Sequence, residues 1–306
     1  MTPPALPLAA ALARGPLPLD GGLSNQLADQ GCDLSDALWS ARLLADAPEQ
    51  LVAAHTAYVR AGARVLLSSA YQASFEGFAR RGIASAAAAA LIGSSVRLAR
   101  AAAGDRPVWV AGSLGPYGAM LADGSEYRGR YGRSVAELVR FHRPRVAALV
   151  DAGADVLALE TVPDTVEAEA MLRAAEDCGT PVWLSYTVAG DRTRAGQPLT
   201  EAFALAAGLD QVLAVGVNCC DPTEAGRAVP VAAEVSGKPV VVYPNSGEGW
   251  SGRGGGWRGL PAFAPEAVDR WCADGARLVG GCCRVGPEQI ARLAARLEAS
   301  APGREG

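Results

Sequence analysis

The chain has 306 residues, half of them hydrophobic and a fifth charged, with a formal net charge of -4. That composition supplies a large core and argues against nucleic acid or an anionic membrane as partner. Seven cysteines, an odd number without an export signal, fit reduced thiols and metal better than a disulfide framework.

Residues 1–19 are apolar but lack a positive leading segment and are broken by Pro3, Pro4, Pro7, Pro16 and Pro18, so they read as mature sequence. No window reaches the roughly 18 uninterrupted apolar residues of a membrane span. The Ala-rich run 85–103, which reads as a helix on propensity alone, carries Arg97 and Arg100. A soluble, cytoplasmic protein is expected, acting on small molecules.

In chain order, short β-branched runs alternate with longer amphipathic or Ala-rich stretches. The strand candidates are 16–20, 63–68, 107–114, 155–160, 181–187, 212–219, 239–243 and 277–282. Several are continuously apolar, as strands covered on both faces should be. Three helix starts carry an N-cap with an acid three residues on: Ser134 with Glu137, Asp164 with Glu167, and Asp221-Pro222 with Glu224. Pro144 is expected to kink or divide its helix. Eight βα units predict an α/β fold, a single-domain (β/α)8 TIM barrel with its core over residues 15–298. An open doubly wound sheet has the same alternation, but no Gly-x-Gly-x-x-Gly or phosphate loop supports nucleotide binding.

Ring closure would gather the strand ends on one face: Asp20-Gly21-Gly22, Ser68-Ser69, Gly112-Ser113, Glu160-Thr161, Asn218-Cys219, Asn245-Ser246 and Cys282-Cys283. Two long connections follow strands there. Residues 115–133 contain Tyr117, Tyr127 and Tyr131, and residues 245–259 contain seven glycines with Trp250 and Trp257. Both are expected over the barrel mouth as walls or lids.

Three thiols fall at strand ends beside glycine or a helix cap: Cys219, Cys282 and Cys283. Three thiolates on one Zn2+ leave a fourth position open, the mark of a catalytic site. Alternation puts Cys219 on the side of Val217 and turns Cys220 away, which makes Cys219 the preferred ligand. Adjacent Cys282 and Cys283 must leave the strand pleat to act together, and Gly280-Gly281 are expected to allow it by their flexibility. A redox pair is the competing reading, although a disulfide between direct neighbours is strained. Cys32, Cys178 and Cys272 read as small buried hydrophobes. Asp20 and Glu160 are acids at the ends of apolar strands, open to a structural or a binding role. His55 and His142 lie within helical stretches and read as structural.

The motifs Asp20-Gly21-Gly22-Leu23-Ser24, Tyr71-Gln72-Ala73-Ser74-Phe75-Glu76-Gly77-Phe78, Gly115-Pro116-Tyr117-Gly118-Ala119, Gly216-Val217-Asn218-Cys219-Cys220, Tyr243-Pro244-Asn245-Ser246-Gly247-Glu248 and Gly280-Gly281-Cys282-Cys283-Arg284 together resemble the homocysteine S-methyltransferases, of the stand-alone bacterial type that uses S-methylmethionine. The resemblance runs in order over residues 19–297. It implies a (β/α)8 barrel with zinc on Cys219, Cys282 and Cys283 and the homocysteine sulfur as fourth ligand. It also implies that Asp20 and Glu160 hold the amino-acid part of homocysteine, with Gly21, Asn218 and Tyr71 as further substrate-binding candidates. Leu67-Ser68-Ser69-Ala70 departs from the threonine-rich family pattern, and Ser251 stands where an acid often follows the tryptophan.

The reaction expected on this basis moves a methyl group from a free sulfonium compound to the homocysteine thiolate. Faces of Tyr71, Tyr117, Trp250 or Trp257 are candidates to hold the cation. The alternatives are a related enzyme taking its methyl from betaine or a corrinoid protein, and a non-catalytic zinc or thiol-binding protein. Oligomeric state is not legible in the sequence.

Overall fold

The structure, a computed structural model, describes residues 4–36, 38–251, 256–263 and 266–300. Its frame is eight parallel strands: β1 Leu17–Pro18, β2 Val65–Leu67, β3 Trp109–Leu114, β4 Val156–Val162, β5 Val182–Tyr186, β6 Val212–Asn218, β7 Val240–Tyr243 and β8 Ala276–Val279. Each pairs with its neighbours in sequence, and β8 pairs with β1. A parallel bridge between Leu19 and Val65, with Asp20 N donating to Val65 O at 3.1 Å, joins β1 to β2 and closes the ring.

Alternation sorts the side chains. Val65, Trp109, Ala111, Val156, Ala158, Trp183, Ala214, Val241 and Leu278 fill the barrel interior, while Val110, Leu157, Leu184, Val215, Val217 and Val242 face the helical layer. That layer comprises α1 Pro48–Arg60, α2 Ser85–Ala103, α3 Val135–Asp151, α4 Thr165–Ala174, α5 Leu199–Ala204, α6 Pro222–Ser236, α7 Ala267–Ala273 and α8 Pro287–Ala299. The three sequence caps form: Ser134 and Glu137 make a reciprocal capping box, Asp164 accepts from Glu167 N, and Asp221 accepts from Thr223 N.

Pro144 does not divide α3, which runs through it unbroken. The residue lies on the exposed face, so the carbonyl it leaves without an N–H partner faces water. A short helix ahead of β1, Leu8–Leu12, packs Leu8 and Leu12 into the interior cluster, and Trp109 Nε1 donates to Leu6 O at 3.0 Å. It plugs the end of the barrel where the strands begin.

Candidate metal and substrate site

At the opposite end the interior turns polar. The next inward positions after Ala111, Ala158, Trp183 and Val241 are Ser113, Glu160, Ser185 and Tyr243, and Asn218 follows Ala214 and Gly216 on the same side, all of them buried. Above them lie three thiols. The Sγ atoms of Cys219, Cys282 and Cys283 all fall within 4.8 Å of one another, and Cys219 and Cys283 are 3.8 Å apart. Tetrahedral bonds of about 2.3 Å to zinc require sulfurs about 3.8 Å apart, so the donor set fits that ion.

Cys219 joins the group by a turn of the backbone. Val217 and Cys220 pack in the outer layer, and simple alternation would send Cys219 the way of Val217. Its φ of +52° breaks the strand instead and swings the side chain over the mouth. The expected ligand is therefore the one gathered, for a different reason than alternation.

The expectation for Gly280-Gly281 also needs correcting. β8 ends at Val279, so Cys282 and Cys283 never occupy a pleat, and neither glycine has positive φ. They are required for closeness: a Cβ on Gly280 would lie 2.5 Å from Leu19 Cβ, and one on Gly281 2.1 Å from Val285 Cγ1. Gly21 has the same duty, its Cβ position being 2.2 Å from Val285 O, and Gly22 packs likewise against Cys282 O. Tyr58 OH donates to Gly22 O and Val285 O, pinning the two loops together. Backbone bonds finish the turn: Cys282 N to Pro244 O at 2.7 Å, and Cys283 N to Asn245 Oδ1 at 3.1 Å.

Without metal, the thiols share protons. Hydrogen bonds from Cys282, Cys283 and Tyr127 hold Cys219 well below the ordinary thiol range against its burial, and the two partner thiols are correspondingly raised. The Tyr127 hydroxyl lies 3.3 Å from Cys219 Sγ. Cys220, buried among apolar groups, is pushed up and stays a thiol.

Beside the thiols stand two buried acids. Glu160 accepts from Ser113 Oγ and, at 3.1 Å, from Tyr243 OH; burial pushes its carboxyl up to about 7. Asp20 Oδ2 accepts from Leu67 N at 2.9 Å, while Oδ1 has no partner among the described residues. Burial raises Asp20 well above the carboxylate range, and the nearby Glu160 charge adds to it. The two acids are close enough for their charges to interact, and Asp20 Oδ1 is left to accept from a further donor.

Asn218 uses its amide structurally: Oδ1 accepts from Thr161 N at 2.7 Å and Ser185 Oγ at 2.8 Å, and Nδ2 donates to Thr161 Oγ1 at 2.7 Å. This fixes Thr161 in its left-handed conformation, φ +57°, next to Glu160. The Tyr71 hydroxyl reaches Thr161, and the Tyr71 carbonyl accepts from Gly115 N and Arg145 Nη2.

The wall carrying Tyr127 is anchored from behind. Arg145 donates to Ala73 O, Gly115 O and Tyr71 O, and its Nη1 faces His142 Nδ1 at 3.1 Å. That bond leaves Nε2 to donate to Glu167 Oε1 at 2.9 Å, which also accepts from Tyr117 N at 2.6 Å. His142 is therefore structural, as expected, and so is fully buried His55. Tyr117 packs edge-on against Phe141 and beside Tyr131 in this support. Tyr127, which the sequence marked only as part of a loop, brings its hydroxyl to the thiol cluster. In the second long connection, Glu248 pairs with Arg284 at 2.7 Å, and Gly249–Ser251 pairs antiparallel with Gly256–Arg258. Residues 252–255 and the side chains of Trp250 and Trp257 lie outside the described residues.

A closed barrel with three thiols and two acids at its mouth defines a thiol-handling enzyme. The homocysteine S-methyltransferase family model matches residues 17–297. A homocysteine S-methyltransferase of Escherichia coli K12 is 44% identical over 291 residues, covering 91% of this chain and 94% of that one. The Bacillus subtilis homocysteine S-methyltransferase YbgG is 40% identical, covering 90% and 93%. The metallated crystal structure of the E. coli homocysteine methyltransferase MmuM superposes with a TM-score of 0.86 at 43% identity, over 95% of this chain and all of that one. The chain belongs to the homocysteine S-methyltransferase family.

Proposed function

We propose that this enzyme binds zinc through Cys219, Cys282 and Cys283 and methylates homocysteine with S-methylmethionine as donor, giving methionine from both partners. The observation that carries the reading is the convergence of three thiols within 4.8 Å beside two buried carboxylates. The likeness to the metallated E. coli enzyme, TM-score 0.86, exceeds that to its apo form, 0.76, and equals that to its oxidized form, 0.85, to within 0.01. When bound, zinc would take the homocysteine sulfur at its open position and hold it as thiolate at neutral pH.

The chain's own residues then supply orientation. Asp20 and Glu160 hold the ammonium of homocysteine, and Thr161, Asn218 and Tyr71 fix the wall beside it. Gly21 gives the chain room to pass under the metal turn. Attack on a sulfonium methyl breaks a C–S bond whose electron pair returns to the donor sulfur, so the leaving group is a neutral thioether and no general acid is needed. What remains is positioning and exclusion of water. We take the whole chain as one homocysteine-binding barrel working in the cytoplasm.

The test combines metal analysis with donor kinetics. Reduced protein should carry one zinc per chain and form methionine most efficiently with S-methylmethionine, less so with S-adenosylmethionine, and not with betaine. A preference for betaine, or full activity in metal-free protein, overturns the reading.

A further inference from the structure

Two charged groups near the thiols have no part in that reading. Glu126 lies in a short turn, Ser125–Tyr127, packed so tightly on Gly118 that a Cβ there would sit 2.4 Å from Glu126 N. Its Oε2 is buried with no hydrogen-bond partner among the described residues. Cys219, Tyr71, Asp123 and Arg128 all lie within reach of its charge, and Arg128 pairs with Asp123 at 3.7 Å. A carboxylate desolvated beside a thiolate is costly until a cation meets it.

Tyr127 also lines a cavity of about 430 Å³, together with Arg128, Arg130 and Arg194 and no acid. Arg130 is held in place by Ala195 O through its guanidinium and by Asp164 Oδ2 through its backbone N–H. The Arg194 backbone N–H donates to Thr187 O at 3.3 Å, its guanidinium has no hydrogen-bond or ion-pair partner among the described residues, and its charge reaches Cys219. The volume is that of a small-molecule site.

We propose that these two groups form the methyl-donor subsite, Glu126 facing the donor's sulfonium and Arg194 its α-carboxylate, so that the donor lies across Tyr127 with its methyl toward the thiols. The assignment rests on the methyl-transfer reading above and adds the residues that read the donor. An amino-acid sulfonium carries these two charges at separate ends, matching an acid next to Tyr127 in the chain and a base in the cavity that Tyr127 lines. In the transfer the thiolate lone pair forms the new S–C bond as the old one returns its pair to the donor sulfur. No proton moves in the transfer. The Glu126 charge favours the bound cation over the neutral thioether left behind, which promotes product release.

The experiment crosses two variants with three compounds. S-methylmethionine carries both charges, 3-aminopropyl-dimethylsulfonium lacks the carboxylate, and methionine, used as a competitive inhibitor against the donor, lacks the sulfonium. Glu126→Gln is expected to raise KM for both sulfonium compounds about tenfold or more, with a smaller change in kcat, and to leave inhibition by methionine unchanged. Arg194→Ala is expected to weaken S-methylmethionine and methionine by about tenfold and spare the aminopropyl compound. Homocysteine KM and metal content stay as in the wild type. Equal weakening of all three compounds in either variant, or a shift in homocysteine KM, overturns the proposal. Wild-type enzyme that turns over no sulfonium donor overturns the underlying reading as well, and is told apart from the former by that absence.

Discussion

At the end where the strands begin, Leu8, Leu12, Leu17 and Trp109 close the barrel with interlocking apolar side chains. At the end where they finish, Cys219 and Thr161 adopt left-handed backbone, Asp20 Oδ1 lacks a partner and three thiols crowd together. The first end supplies burial that the second consumes, because buried acids and unusual φ values each cost about 1–3 kcal/mol. Stability and function are therefore separable along the barrel axis.

The largest expected effect is at the open end. Cys219→Ser, Cys282→Ser or Cys283→Ser should each lose zinc and on the order of 10³-fold or more in activity, while Cys220→Ala keeps its metal; metal content per chain measures this. At the closed end, Leu12→Ala should lower stability by about 2–5 kcal/mol with kcat/KM per folded molecule unchanged, read by denaturant titration and kinetics on one preparation. A matching loss of activity would break the separation. Glu160→Gln should raise homocysteine KM by about 10- to 100-fold with metal retained and little change in melting temperature, since one charged hydrogen bond to substrate is at stake.

The smallest effect concerns pH. Burial pushes Glu167 up to about 8 from 4.5, so in that window the folded state holds a proton that the unfolded state releases, and stability falls as pH rises. His55, pushed down to about 4 from 6.5 by burial, acts oppositely: its contribution is lost as pH falls below 6.5. Glu160, pushed up to about 7, acts in the same direction below that pH, so the Glu167 effect is cleanest between pH 7 and 8, at no more than about 1.4 kcal/mol per unit. Glu167→Gln should reduce the fall in melting temperature across that range, with the remainder left to the other raised carboxyls.

The closed end was largely legible in the sequence, because strands covered on both faces write themselves as apolar runs such as 107–114 and 212–219. The thiols and the two acids were legible for a related reason: a polar residue after an apolar run marks a strand end, and closure does the rest. What escaped depends on how loops pack. Tyr127 and Glu126 sit in a connection whose course is set by the fit of Gly118 against residue 126. The support behind that wall, Arg145 with His142 and Glu167, was visible only as charged residues in helices. The missed signal was an arginine three residues after a histidine on the face of α3 that also carries Val146 and Leu149.

The reciprocal bonds between Asn218 and Thr161 have one more consequence. They rivet the end of β4, which carries Glu160, to the end of β6, which carries Cys219, so the gap between the Glu160 carboxyl and the thiol cluster cannot breathe. The pair acts as a ruler for the substrate's carbon chain. On the function proposed above, cysteine, one methylene shorter than homocysteine, should be discriminated against by roughly 10- to 200-fold. Asn218→Ala should blunt that ratio of kcat/KM values by admitting cysteine more than by rejecting homocysteine, whereas an unchanged ratio would mean that the gauge is set elsewhere.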